Sequence, residues 1–157
     1  MLNKADKSRY TLLISEGKQV KSNCKPSQTA NVINIVLKNN SNDTLKYIDW
    51  TCSSMIWKID NHDFILEPPF EFQDCGTCDK NIVSVFEVLP HKTIALKVYV
   101  RKKNIDYNKA EFKIGMILQR IIYNKDFWVY AHYFMEGNNQ LSYQTTNLIW
   151  SNSIEIH

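Results

Sequence analysis

The chain is short of the residues that interrupt regular structure, with four glycines and four prolines among 157 residues. Glycines so few and scattered cannot build a phosphate-cradling loop, and the composition argues against a low-complexity or disordered chain. Long apolar runs are also missing. None approaches the roughly 18 residues that a membrane-spanning helix needs. Charge of one sign is not in excess either, since 19 Lys and Arg face 16 Asp and Glu for a net charge of +3. The basic residues are dispersed. Their densest group, Arg101-Lys102-Lys103, is soon followed by Asp106 and reads as a solvated strand end. Nucleic acid is therefore not an expected partner.

Familiar catalytic motifs are lacking as well. There is no G-x-S-x-G elbow and no H-E-x-x-H pair. His62, His91, His132 and His157 are far apart, with no i, i+4 spacing. His91 follows Pro90 and reads as a turn residue. A copper site of the sandwich type would need Cys, His and Met close together near the last strands, whereas the cysteines all lie in the first half. Asp60, Asp63 and Glu67 sit close enough in sequence to suggest weak calcium binding, although a polar turn explains them more simply. The expectation is a non-enzymatic domain with no metal and no cofactor.

What the chain does have is apolar and aromatic bulk, 44% and 12% of residues. A chain of this length buries roughly two-thirds of its unfolded surface, enough for one core without a metal. One domain spanning 1–157 is expected, with residues 1–9 disordered or vector-derived. Period-two alternation recurs throughout. Ile33, Ile35 and Leu37 share a face in Asn31–Lys38, as do Ile94, Leu96, Val98 and Val100 in Thr93–Arg101. Phe112, Ile114, Met116, Leu118 and Ile122 do so within Glu111–Tyr123. Leu148, Trp150, Ile154 and Ile156 do so within Asn147–Ile156, and Met55, Trp57 and Ile59 within Ser54–Asp60. Tyr10–Ile14, Thr44–Trp50 and Asn81–Val88 are further strands. Turn signals separate them at Glu16-Gly17, Asn39 to Asp43, Asp60 to Asp63, Pro68-Pro69 and Gly137 to Asn139. About seven to nine short strands with polar turns, and no strand–helix–strand alternation, predict an all-β antiparallel sandwich.

One stretch departs from this pattern. Asp126 to Met135 is almost entirely apolar or aromatic, and it fits a short helix near 125–135 nearly as well as a strand. It either plugs one end of the core or offers Trp128, Tyr130, Tyr133 and Phe134 to a protein or glycan partner.

The four cysteines allow three full pairings. A redox reading of Cys75-Gly76-Thr77-Cys78 requires a helix N-terminus to lower a thiol pKa, yet Asp74 and Asp79 would raise it. A zinc reading requires two further ligands, and no second CxxC is present. Structural disulfides are the simpler expectation. Closing about 27 residues with Cys52–Cys78 is worth roughly 3.5 kcal/mol, against roughly 2 for Cys75–Cys78. Cys52–Cys78 with Cys24–Cys75 is thus the favoured pairing. Bridges of this kind persist in oxidising compartments. The expected location is the periplasm or cell surface, with an export segment trimmed away and room for a lipid anchor upstream of residue 1. A metal-binding or thiol-redox role for Cys75 and Cys78 stays open as the alternative.

Several strings belong together: Leu37-Lys38-Asn39-Asn40-Ser41-Asn42-Asp43-Thr44-Leu45-Lys46-Tyr47, Thr51-Cys52-Ser53, Cys78-Asp79-Lys80-Asn81, Leu89-Pro90-His91-Lys92 and Ile149-Trp150-Ser151-Asn152. From about Asn31 to Ile156 the chain resembles a group of small exported proteins of Bacteroidetes-type bacteria that lack an assigned activity. The resemblance implies an immunoglobulin-like sandwich, an export or lipoprotein signal, and pairing of Cys52 with Cys78. Cys24 and Cys75 have no counterpart in the group pattern. Asp43-Thr44-Leu45 also resembles the short O-glycosylation signal of such bacteria. Each string has a physical reading as well, chiefly as turns whose side chains bond their own backbone.

Overall fold

The computed structural model describes residues 9–50, 56–67, 69–75, 83–103, 110–118, 120 and 148–156. They form eleven strands and one helical turn. In chain order these are β1 (Tyr10–Lys21), β2 (Thr29–Asn39), β3 (Leu45–Trp50), β4 (Trp57–Ile59) and β5 (Phe64–Glu67). A π-helical turn follows at Phe70–Asp74. Then come β6 (Val83–Val88), β7 (Thr93–Lys102), β8 (Ala110–Phe112), β9 (Ile114–Ile117), β10 (Leu148–Trp150) and β11 (Ile154–Ile156). Every pairing between these strands is antiparallel. The largest sheet has the order β1-β2-β7-β5, and three smaller ones are β10-β9-β4, β11-β8 and β3-β6.

The alternating pattern decides which face is buried. Leu12 and Ile14 of β1, Ile33, Ile35 and Leu37 of β2, and Val98 and Val100 of β7 point to one side of the four-stranded sheet. They join one continuous core with Leu45 and Tyr47 of β3, Val88 of β6, and Phe112, Ile114, Met116 and Ile156 of β8, β9 and β11. The molecule is thus all-β and sandwich-like, with one large sheet laid against the smaller ones. Phe64 and Phe112 meet across this interior with ring centroids 4.8 Å apart.

Two expected long strands are each broken, and the breaks face each other. The predicted run Glu111–Tyr123 splits at Lys113, whose amide donates to Asp60 Oδ1 (2.7 Å) while its carbonyl accepts from the Asp60 amide (3.3 Å). The run Asn147–Ile156 splits at residues 151–153. There the Ser151 amide donates to the Ile114 carbonyl (2.9 Å), and Ser151 Oγ accepts from the Ile114 amide (3.0 Å). The break shifts the alternation, so Trp150 does not enter the core as the sequence suggested. It lies 42% exposed over Gly115, where an added Cβ would meet its ring at 3.0 Å. β5 falls where the sequence indicated only a loop. It is four residues long and begins after a turn in which Asn61 Oδ1 accepts from the Asp63 amide (2.9 Å). The aromatic stretch from 126 to 135, with its helix-or-strand alternative, lies outside the described residues.

The motifs at the β2–β3 and β6–β7 turns come together in space. Asn39 is fully buried, and its Nδ2 donates to the carbonyls of Asp43 (2.7 Å) and Val88 (2.9 Å). Its Oδ1 accepts from Ser41 Oγ (2.7 Å) and the Ser41 amide (3.0 Å). One carboxamide thereby joins the end of β2 to the end of β6, in different sheets. His91 takes a left-handed conformation (φ 58°) in the opposing turn and contacts Asn42 Oδ1 through Nε2 at 2.9 Å.

Candidate binding face

The outer surface of the four-stranded sheet is laid out in rows by the register. Thr11, Lys38 and Thr93 form a polar row across β1, β2 and β7. Leu13, Val36 and Ala95 form the next, an apolar row, with Leu13 49% and Val36 36% exposed. Ser15, Asn34 and Lys97 form a third. Beyond them Val32 and Tyr99 lie under the π turn.

The π turn is the wall at that end. Pro69 (φ −52°), with its ring-fixed backbone, starts it, and Cys75 in a left-handed conformation (φ 51°) ends it. Phe72 is buried against Ala30 and stacks on Tyr99 with centroids 5.2 Å apart. Ser22 Oγ donates to the Phe72 carbonyl (2.7 Å) and accepts from the amides of Cys24 (3.1 Å) and Lys25 (2.9 Å). Asn23 Nδ2 donates to the Gln73 carbonyl (3.0 Å), and Gln73 Nε2 donates to the Lys21 carbonyl (3.2 Å). A disulfide between Cys24 and Cys75, with Cα atoms 4.9 Å apart, fastens the turn to the β1–β2 connection. This bridge is one of the two expected from the sequence. Cys52 and Cys78 lie outside the described residues. In this bonded form Cys75 carries no free thiol.

Between wall and sheet runs a groove of about 470 Å³, lined by Gly17, Lys18, Asn34, Gln73, Lys97 and Tyr99 among others. A bulge in β1 between Glu16 and Gln19 shapes it. Only glycine fits at position 17, because a Cβ there would stand 2.8 Å from the Val32 carbonyl oxygen. The groove offers two ammonium groups, two carboxamides and an aromatic ring, which are groups that hold a ligand in place. A smaller depression of about 350 Å³ lies at the other end of β1, between Arg9, Tyr10, Thr44, Lys46 and Arg120. Asp43 pairs with Arg9 there at 2.6 Å, and Lys46 pairs with Glu87 at 2.9 Å.

The other residues singled out in the sequence are dispersed. Asp60 caps the Lys113 amide, and Glu67 is buried in an ion pair with Arg101 (2.8 Å). Asp63 contributes its carbonyl to the Lys103 amide at 2.8 Å. No group of three or more His, Cys, Asp or Glu able to hold a metal occurs among the described residues. His62 is exposed, while His132 and His157 lie outside the described residues. So do Trp128, Tyr130, Tyr133 and Phe134, the expected aromatic contact surface. No helix among the described residues is long and apolar enough to cross a membrane.

Sequence reasoning did not find the apolar row or its lysines. The signal was present: Val32-Ile33-Asn34-Ile35-Val36-Leu37 is apolar at outward as well as inward positions, which a strand with one solvated face does not need. Comparison with known protein families, with curated proteins and with solved structures yields no match to this chain.

Proposed function

We propose that the chain is a non-enzymatic binding domain of the periplasm or cell surface, of an inhibitor or immunity type. Its partner contacts the outer face of the four-stranded sheet of an immunoglobulin-like sandwich. The observation that supports this reading is the apolar row of Leu13, Val36 and Ala95, left open to solvent between two polar rows on the outer face of the sheet. Contiguous apolar surface on a rigid scaffold is costly in water and marks a contact site. The neighbouring groove and the disulfide-fastened wall would fix the orientation of whatever docks there. Flexible loops usually carry binding functions, but a sheet face serves as well when its side chains are held in register.

The test is a photo-activated cross-linking residue placed at position 13 or 36, with Lys58 and Lys113 as control positions on other elements. Irradiation of the folded protein in a native envelope extract is expected to give one adduct of discrete mass from positions 13 and 36 alone. Equal adducts from all four positions, or none from 13 and 36, would overturn the assignment of this face.

A further inference from the structure

We infer that the partner docks an extended acidic protein segment on this face, with carboxylates at i and i+4 and an apolar side chain at i+2. The inference rests on the sheet face being the contact surface, and it adds the chemistry of the occupant. Lys38 stands one row to one side of the apolar row, and Lys97 stands one row to the other side. Lys18 adds a third ammonium at the groove. All three lysines are exposed, and none forms an ion pair among the described residues.

Glu67, opposite Tyr99 at the margin of this face, is already held in an ion pair with Arg101. The three open rows contain no carboxylate, so their field is positive. Lysine ammoniums are point charges that suit single carboxylates rather than the planar two-point grip on phosphate that arginine provides. The apolar row asks for something to bury, which a bare polyanion does not bring.

Register sets the spacing. Adjacent rows are two residues apart along a strand, so Lys38 and Lys97 are separated by about 13 Å along the strands and about 5 Å across them. In an extended segment, residues i, i+2 and i+4 share one face with the same repeat. A segment lying along β2 and β7 would set its first carboxylate over Lys38, its apolar side chain over Val36 and Ala95, and its second carboxylate over Lys97.

The experiment is an NMR titration of the disulfide-intact protein with a nine-residue peptide centred on Glu-Thr-Leu-Thr-Glu. The amide signals of Val36, Ala95 and Lys97 are expected to shift. Affinity should fall about tenfold in the Lys38→Glu, Lys97→Glu double variant, because two attractions become repulsions. Both sites are exposed, so the fold should survive the change. Equal binding by Lys-Thr-Leu-Thr-Lys, by Glu-Thr-Ser-Thr-Glu or by a heparin oligosaccharide would overturn the inference. The cross-link at position 36 separates the two levels of the argument. An adduct whose yield the double variant leaves unchanged refutes the acidic segment while the face stands, whereas absence of any adduct from wild type refutes the face itself.

Discussion

Asn39 and Tyr47 show how much of this fold rests on single polar groups placed where water cannot reach. The Asn39 carboxamide satisfies carbonyls from two turns and anchors Ser41 in return. Truncation leaves several of those partners buried and unpaired, and each such group costs about 1–3 kcal/mol. Asn39→Ala is therefore expected to lower stability by about 3 kcal/mol in urea unfolding, whereas Asn42→Ala on the exposed side of the same loop should change it by less than about 1 kcal/mol. Tyr47 is almost fully buried, stacked on Phe86 with centroids 5.6 Å apart. Burial, and secondarily the negative charge of Asp49, push its phenol far above the ordinary value of 10.0. Below that value both folded and unfolded chains keep the proton, so pH has no leverage through this group. Above it the unfolded chain releases the proton first, and stability falls as pH rises. A spectrophotometric titration at alkaline pH should show one tyrosine that ionises only with unfolding, and Tyr47→Phe should remove that component. Persistence of the component in Tyr47→Phe would refute the assignment.

At the scale of elements, legibility followed the period of the hydrophobic pattern. Asn31–Lys38 and Thr93–Arg101 alternate without interruption and were predicted to within two residues of β2 and β7. Glu111–Tyr123 alternates equally well yet breaks at Lys113, because Asp60 from a distant turn takes over that peptide's hydrogen bonds. Nothing within the run itself signals that intervention. β5 was missed for a related reason: a four-residue strand is defined by its partner β7 more than by its own sequence. The candidate face was hidden differently, since a lysine in a strand says nothing of its neighbours until the register is known. The Cys24–Cys75 bridge was legible in its pairing but not in its purpose of holding the π turn against the sheet. It closes a sequence separation of 51 residues, worth about 4 kcal/mol in the chain-entropy picture. Replacing both cysteines with serine should lower the thermal midpoint by several degrees. It should also raise amide exchange at Phe72 and Gln73 ahead of that at Ile33 and Ile35. Uniform acceleration at all four positions would show that the bridge steadies the whole sandwich rather than the wall.

Considered whole, the sandwich protects its own margins. The bulge at Gly17 and the charges of Glu16, Lys18 and Lys21 guard the far half of β1 against pairing with another strand. The near half is guarded by Asn152, whose Oδ1 accepts from the Ile14 amide (2.8 Å) and whose Nδ2 donates to the Ile14 carbonyl (3.0 Å). That side chain imitates one residue of a neighbouring strand. Asn152→Ala should therefore cost about 2 kcal/mol and expose an edge that recruits a second molecule. Light scattering after size-exclusion chromatography is expected to show a concentration-dependent dimer absent from wild type, and a strictly monomeric variant would refute the guarding role.

The same clamp has a consequence in time. It joins residues 138 positions apart, so the first strand stays incompletely bonded until nearly all of this sequence has been synthesised. The β1–β2 hairpin needs only local contacts, whereas closing its outer edge is a non-local step of the kind that slows folding. Until residue 152 arrives, the outer edge of β1 at Ile14 waits without its clamp.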